Sequence, residues 1–172
     1  YEEHPVAMIL SRAAGPLKPG FNAFTISDMT LDGNRDSQKK WYKDGASLIL
    51  TGSTRSGGRY QNLELINSFG SGLYLGNNGS GPESKAIVQN IAARNCESEG
   101  LILDTANRSI VSNCIFESCK AGLKIYGNDD YLSREKDGLV VSNITSDSPI
   151  EVWYVNDLLM SNVNMDVSKC EN

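Results

Sequence analysis

One asparagine recurs in the same local setting at five places along the chain. It closes the segments Arg59-Tyr60-Gln61-Asn62, Ile87-Val88-Gln89-Asn90, Ile110-Val111-Ser112-Asn113, Val140-Val141-Ser142-Asn143 and Leu159-Met160-Ser161-Asn162. A sixth segment, Thr25-Ile26-Ser27-Asp28, carries aspartate there. A short strand-like stretch follows each one, as in Leu63-Glu64-Leu65 or Cys114-Ile115-Phe116. A few residues later glycine opens a third: Gly72-Leu73-Tyr74-Leu75, Gly100-Leu101-Ile102-Leu103 and Gly122-Leu123-Lys124-Ile125. Pro149-Ile150-Glu151-Val152 takes that place once, and Gly45-Ala46-Ser47-Leu48 is expected to do so near the start. The asparagines lie 28, 23, 30 and 19 residues apart, so connection lengths vary while the strands do not.

A unit of this size with three short strands cannot bury its own apolar face and must stack on its neighbours. The apolar residues alternate with period two, without the i, i+3, i+4 stripe of a helical repeat. The expected fold is all-β, a right-handed parallel β-helix (solenoid) of about six coils. A two-sheet sandwich is the competing all-β arrangement, but it does not require one asparagine at one corner of every unit. Asparagine tolerates a left-handed backbone, and its amide both donates and accepts. Asn62, Asn90, Asn113, Asn143 and Asn162 are therefore expected to stack as an internal ladder. The glycosylation-type sequons at Asn78, Asn107 and Asn143 are read as incidental, since Asn143 is a ladder position.

Composition narrows the function classes. The 172 residues suit one domain, and Gly, Asn and Ser, at 16, 16 and 20, favour many short strands with frequent corners. A net charge of −5 argues against a nucleic-acid partner. No apolar run is long enough for a membrane span, and Tyr1 to Pro5 lack the basic start of a signal peptide. His4 is the single histidine, so multi-histidine zinc sites cannot be built and a Ser-His-Asp relay would have to run through it. No metal ligand set is assigned. Cys96, Cys114, Cys119 and Cys170 form no CxxC pair. Cys96 and Cys119 each follow a repeat asparagine by six residues, so they are expected to be neighbours, as stacked free thiols in preference to a strained disulfide.

From about Phe21 to Met165 the chain resembles the right-handed parallel β-helix proteins of the pectate-lyase-like superfamily, which includes polysaccharide lyases, glycoside hydrolases, alginate epimerases and bacteriophage tailspikes. The stretch Phe24 to Arg35, ending in Asp32-Gly33-Asn34-Arg35, is similar to an early coil of tailspike and epimerase modules. The epimerase DPHE motif is absent: Gly72-Leu73-Tyr74-Leu75-Gly76-Asn77-Asn78 stands in its place, with neither acid nor histidine. Residues 1–20 are expected to form a partial first coil or N-terminal cap, and 21–172 a β-helix belonging to a longer chain.

Alternation along the glycine-led strands puts two columns on an outer face. One reads Ser47, Tyr74, Ile102, Lys124, Glu151; the other reads Ile49, Gly76, Asp104, Tyr126, Trp153. Aromatic rings beside charged groups suit sugars, because a ring stacks on pyranose C–H bonds while carboxylates and lysine hold hydroxyls. The candidate ligand-binding residues are Tyr74, Lys124, Tyr126 and Trp153, joined by Asp129 and Asp130 from the 127–137 loop. Asp104 and Glu151 are the candidate catalytic carboxylates, provided they lie about 5–10 Å apart. The same face also reads as a subunit interface, or as solvated surface carrying a cross-strand ion pair. No cofactor is expected, beyond Ca²⁺ as a candidate at the acidic loops.

The resemblance implies a phage tailspike or appendage segment, at the virion surface or extracellular. It would recognise host polysaccharide, with or without depolymerising it, as a homotrimer or packed against neighbouring segments of a longer chain. A secreted polysaccharide lyase or hydrolase and a non-catalytic spacer are the alternatives.

Overall fold

Each asparagine segment and the stretch after it form one continuous eight-residue strand that bends at the asparagine. The computed structural model describes residues 8–11, 24–37, 47–52, 58–76, 86–104, 108–126, 138–153, 155, 157–166 and 168. Six strands are of the bent kind or its aspartate version: β2 (Thr25–Asp32), β4 (Arg59–Ile66), β6 (Ile87–Arg94), β8 (Ile110–Glu117), β10 (Leu139–Ser146) and β12 (Leu158–Met165). The bend is left-handed in all six, with φ of 58° at Asp28, 54° at Asn62, 56° at Asn90, 55° at Asn113, 54° at Asn143 and 53° at Asn162. Other L-residues adopt that conformation at a cost, which is why this position selects Asn and Asp.

The bend interrupts the pleat, so Tyr60 on one side and Leu63 and Leu65 on the other all point inward and are buried. Gln61 and Asn62 fall consecutively on the outer side. The ladder is therefore exposed along the outside of the corner, not internal as expected. Its amides do bond to one another. Nδ2 of Asn62 donates to Oδ1 of Asp28 (2.7 Å), and that of Asn90 to Asn62 (2.9 Å). Further along, Asn143 donates to Asn113 (2.9 Å) and Asn162 to Asn143 (2.7 Å).

The remaining strands are shorter: β1 (Ile9–Ser11), β3 (Ile49–Gly52), β5 (Leu73–Gly76), β7 (Glu99–Asp104), β9 (Ala121–Tyr126) and β11 (Ile150–Trp153). Strands join two sheets by turns. Sheet 1 has the order β1-β3-β5-β7-β9-β11 and sheet 2 the order β12-β10-β8-β6-β4-β2, with every neighbouring pair parallel. Among the described residues there is no α-helix, only a 3₁₀ turn at Arg35–Ser37. No described helix is long and apolar enough to cross a membrane.

Inward residues of both sheets make one core. Leu73, Leu101 and Leu123 occupy equivalent positions in sheet 1 and meet Leu65, Ala93, Val111 and Phe116 from sheet 2 in one buried cluster. The glycines before the sheet 1 strands serve close packing. A Cβ at Gly72 would lie 2.8 Å from the carbonyl oxygen of Gly100, and one at Gly100 would lie 2.8 Å from that of Gly122. Buried serines satisfy the tight corners there: Ser68 Oγ donates to the Ser71 carbonyl (2.9 Å) and Ser146 Oγ to that of Ser148 (2.7 Å).

Register corrects the first outer columns. Ile49 pairs with Leu73 and is fully buried, so it faces the core; Leu50 pairs with Tyr74 and Gly52 with Gly76. The described strand runs Ile49–Gly52; Gly45 and Ala46 lie outside the described residues. The true columns thus start at Leu50 and Gly52 in place of Ser47 and Ile49: a sequence phase anchored on glycine alone slipped by three residues. Cys96 and Cys119 are neighbouring free thiols, with Cys119 Sγ 3.5 Å from the Glu117 carbonyl oxygen. Contact with Cys119, together with burial, pushes the Cys96 thiol well above its ordinary range.

Candidate functional site

The outer face of sheet 1 gathers six of the candidate residues. In β5, β9 and β11 the inward members Leu73, Leu123 and Ile150 alternate with the outward Tyr74, Lys124 and Glu151. Parallel register then aligns Tyr74, Ile102, Lys124 and Glu151 in one row across four strands. Asp104, Tyr126 and Trp153 form the next row. Adjacent members are about 4.8 Å apart along each row.

Two clusters organise the face. In the first, Tyr74 donates its hydroxyl proton to Asp104 Oδ2 (2.9 Å). Gly76 makes room for this: the Tyr74 ring lies over it, with Cζ 3.3 Å from where a Cβ would stand. Burial, then the Asp104 charge, raises the phenol well above its ordinary range, so it remains a donor at neutral pH.

The second cluster centres on Lys124. Its Nζ lies 3.3 Å from Glu99 Oε1 and 3.2 Å from Glu151 Oε2, and 5.0 Å from the centroid of the Tyr126 ring. Contact with Tyr126 raises the Lys124 pKa most; burial opposes it, and Glu151 and Glu99 add to it, so the ammonium sits above the usual lysine range. Glu151 also accepts from Trp153 Nε1 (3.4 Å), which ties the exposed indole to the cluster.

Glu99 was missed in the sequence. It is only 7% exposed, and its carboxylate accepts hydrogen bonds from Ser71 Oγ (3.1 Å) and from Ser98 Oγ. Burial alone would raise this carboxyl, but Ser98, Lys124 and Ser71 outweigh it and hold the pKa below the ordinary glutamate value. The signal lay in the repeat. The residue before the strand glycine is Ser71, Glu99 and then Ala121, so a carboxylate stands in a column of small residues.

Asp104 and Glu151 stand two strands apart and in different rows, which puts their backbones about 12 Å apart. Asp104 on β7 engages Tyr74 on β5, while Glu151 on β11 engages Lys124 on β9, the strand between the two. The face holds these ligand-type groups in fixed positions on one sheet. Asp129 and Asp130 lie outside the described residues. Among the described residues no cluster of three or more His, Cys, Asp or Glu side chains is arranged to hold a metal ion.

A second left-handed column, also unread in the sequence, runs beside the core on the far edge of sheet 2. Asn67 and Asn95 have φ of 53° and 57°, and their amides continue a chain from Asp32: Asn67 Nδ2 to Asp32 Oδ1 is 3.0 Å and Asn95 Nδ2 to Asn67 Oδ1 is 3.2 Å. Each follows a ladder asparagine by five residues, a spacing that Ser118 and Gly33 obscure elsewhere.

No family model, no curated protein and no solved structure matches this chain.

Proposed function

We propose that this chain is a right-handed parallel β-helix of about six coils and that the outer face of its sheet 1 binds polysaccharide. Support for the solenoid comes from strands that alternate between two all-parallel sheets and advance one position per pass. Crossovers between parallel strands are overwhelmingly right-handed, which sets the hand. The observation that carries the binding function is the pair of adjacent rows Tyr74–Lys124–Glu151 and Asp104–Tyr126–Trp153 on a rigid sheet. An exposed indole offers an apolar stacking surface, and the flanking carboxylates and lysine offer hydrogen bonds to hydroxyls.

In this reading the chain belongs to a tailspike or appendage that recognises surface glycans, at a virion surface or outside the cell, and assembles as a homotrimer. Sedimentation equilibrium tests the trimer; a monomer at micromolar concentration removes it. A glycan array tests the binding. The folded protein should retain at least one polysaccharide, and Trp153→Ala and Asp104→Ala should each weaken that retention roughly tenfold with the circular dichroism spectrum unchanged. A folded protein that retains no glycan leaves the spacer reading in its place.

A further inference from the structure

We infer that Cys96 and Cys119 form a reversible oxidation site, in which peroxide converts the two thiols into a disulfide that staples successive coils. The two residues occupy equivalent places in consecutive turns from sheet 2 to sheet 1, 95–98 and 118–120. Each directly follows a left-handed corner residue, Asn95 at φ 57° and Ser118 at φ 55°. Backbone bonds on both sides hold the turns in register: Asn95 N–H donates to the Glu117 carbonyl (3.0 Å) and Lys120 N–H to that of Ser98 (2.9 Å). The following coil fixes the second turn as well, since Cys119 N–H donates to Ser148 Oγ (3.0 Å) and Ser118 N–H to Asp147 Oδ1 (2.7 Å). Stacked coils lie about 4.8 Å apart, within the roughly 4.4–6.8 Å between Cα atoms that a disulfide spans. Cys119 Sγ lies 3.7 Å from the Ala93 carbonyl oxygen, so it points back toward the coil that carries Cys96.

The two thiols differ in the way that such chemistry needs. Cys96 is buried, whereas Cys119 is partly exposed and within reach of a small oxidant. The sulfurs are in hydrogen-bond contact. Donation from Cys96 favours the Cys119 thiolate and holds its pKa below the ordinary thiol value, against burial and the Asp147 charge. The thiolate is the nucleophile. It attacks one peroxide oxygen, the O–O bond breaks, and the departing hydroxide takes up the proton that Cys119 released, leaving as water. Cys119 is then a sulfenic acid. The Cys96 sulfur attacks it, the S–S bond forms, and the Cys96 proton leaves with the sulfenic hydroxyl as a second water. One peroxide is thus reduced to two waters as two thiols are oxidised, and an added dithiol reverses the step. Cys114 is the internal control: it is buried in mid-strand, pairs in register with Ile144, and has its thiol pushed up to about 11 by burial.

The test treats the native, reduced chain with a small excess of hydrogen peroxide at about pH 7.5 and alkylates the remaining thiols in denaturant. Peptides are then mapped by mass spectrometry without reduction, after cleavage at arginine, lysine and glutamate, so that Glu117 separates Cys114 from Cys119. The Cys96 and Cys119 peptides should appear linked, about 2 Da lighter than their sum, with Cys114 alkylated and the link removed by dithiothreitol. Cys96→Ser should leave Cys119 as a sulfenic acid that dimedone captures, and Cys119→Ser should lose both the link and the capture. The wild-type map decides the pairing whether or not either variant folds. Cys96 and Cys119 recovered as alkylated thiols, as unlinked sulfinic acids, or joined to Cys114 or Cys170 would overturn the assignment.

Discussion

Along the corner of sheet 2, Asn62 gives its amide proton to Asp28 and accepts one from Asn90, so like bonds to like from strand to strand. Across sheet 1, Lys124 instead faces Glu99 and Glu151 on two different strands, with Tyr126 beneath it. Both regions are rows of outward side chains made by the same parallel register. In the first, identical residues satisfy one another while holding a left-handed bend, which is a structural task. In the second, unlike residues are cross-linked by charge and surrounded by aromatic surface, and little of that is needed to hold the strands. Repetition of one side chain marks the spine, and variety marks the proposed binding face.

Breaking the spine should cost most. Asn90→Val puts a branched side chain at φ 56° and removes the amide bond to Asn62, and should lower stability by about 2–4 kcal/mol in urea unfolding. Asn90→Gly keeps the bend and loses only the amide, so about 1 kcal/mol is expected. Equal losses for the two would show that the bend itself is not what selects asparagine.

Breaking the proposed binding face should cost less. Lys124→Met removes the bridge between Glu99 and Glu151 and should destabilise by about 1–2 kcal/mol at pH 7. The linkage with pH has a definite sign. The Glu99 pKa is lowered on folding from 4.5, so its stabilisation is complete above that value and is lost as pH falls through the folded-state value. Urea midpoints measured from pH 7 to pH 3 should therefore drop in acid, and Glu99→Gln should flatten the part of the drop due to this residue. An unchanged profile in that variant would assign the acid loss to other groups, such as Asp28 and Asp32, whose pKa values are also lowered: by hydrogen bonds from Ser27 and Asn62 for the first, and from Asn67 and the Asn34 backbone for the second.

The smallest effect is expected on sheet 2, where Arg94 bridges Glu64 (2.7 Å) and Glu117 (2.6 Å). All three are partly exposed, so Arg94→Ala should cost less than about 1 kcal/mol, and less still in high salt. A loss rivalling that of Lys124→Met would erase the distinction between a surface ion pair and a half-buried one.

The parallel all-β arrangement and the ladder positions were legible because each asparagine sits in the same short context. That context carries corner geometry directly, since few residues tolerate a left-handed backbone. Whether the amides face in or out was not legible, because the bend places two consecutive residues outside and alternation alone cannot anticipate that. From Leu73 onward the outer rows could be read because a glycine fixes the phase. Before it they could not, because β3 starts four residues after Gly45. Glu99 escaped because a buried carboxylate is recognisable only by its neighbours, Ser71, Ser98 and Lys124, and only Ser98 is adjacent in the chain.

The two kinds of connection have different lengths. From β8 onward, each link from sheet 2 to sheet 1 has three residues, 118–120 and 147–149, whereas the return links include 127–138 and, earlier, 77–86. Those return links leave from the strand ends that carry Gly76, Asp104, Tyr126 and Trp153. Insertions and deletions at that rim would redraw the surroundings of the aromatic and acidic rows without disturbing the amide spine. A lineage built on this frame can change what it touches by lengthening or trimming loops, and leave its foundations untouched.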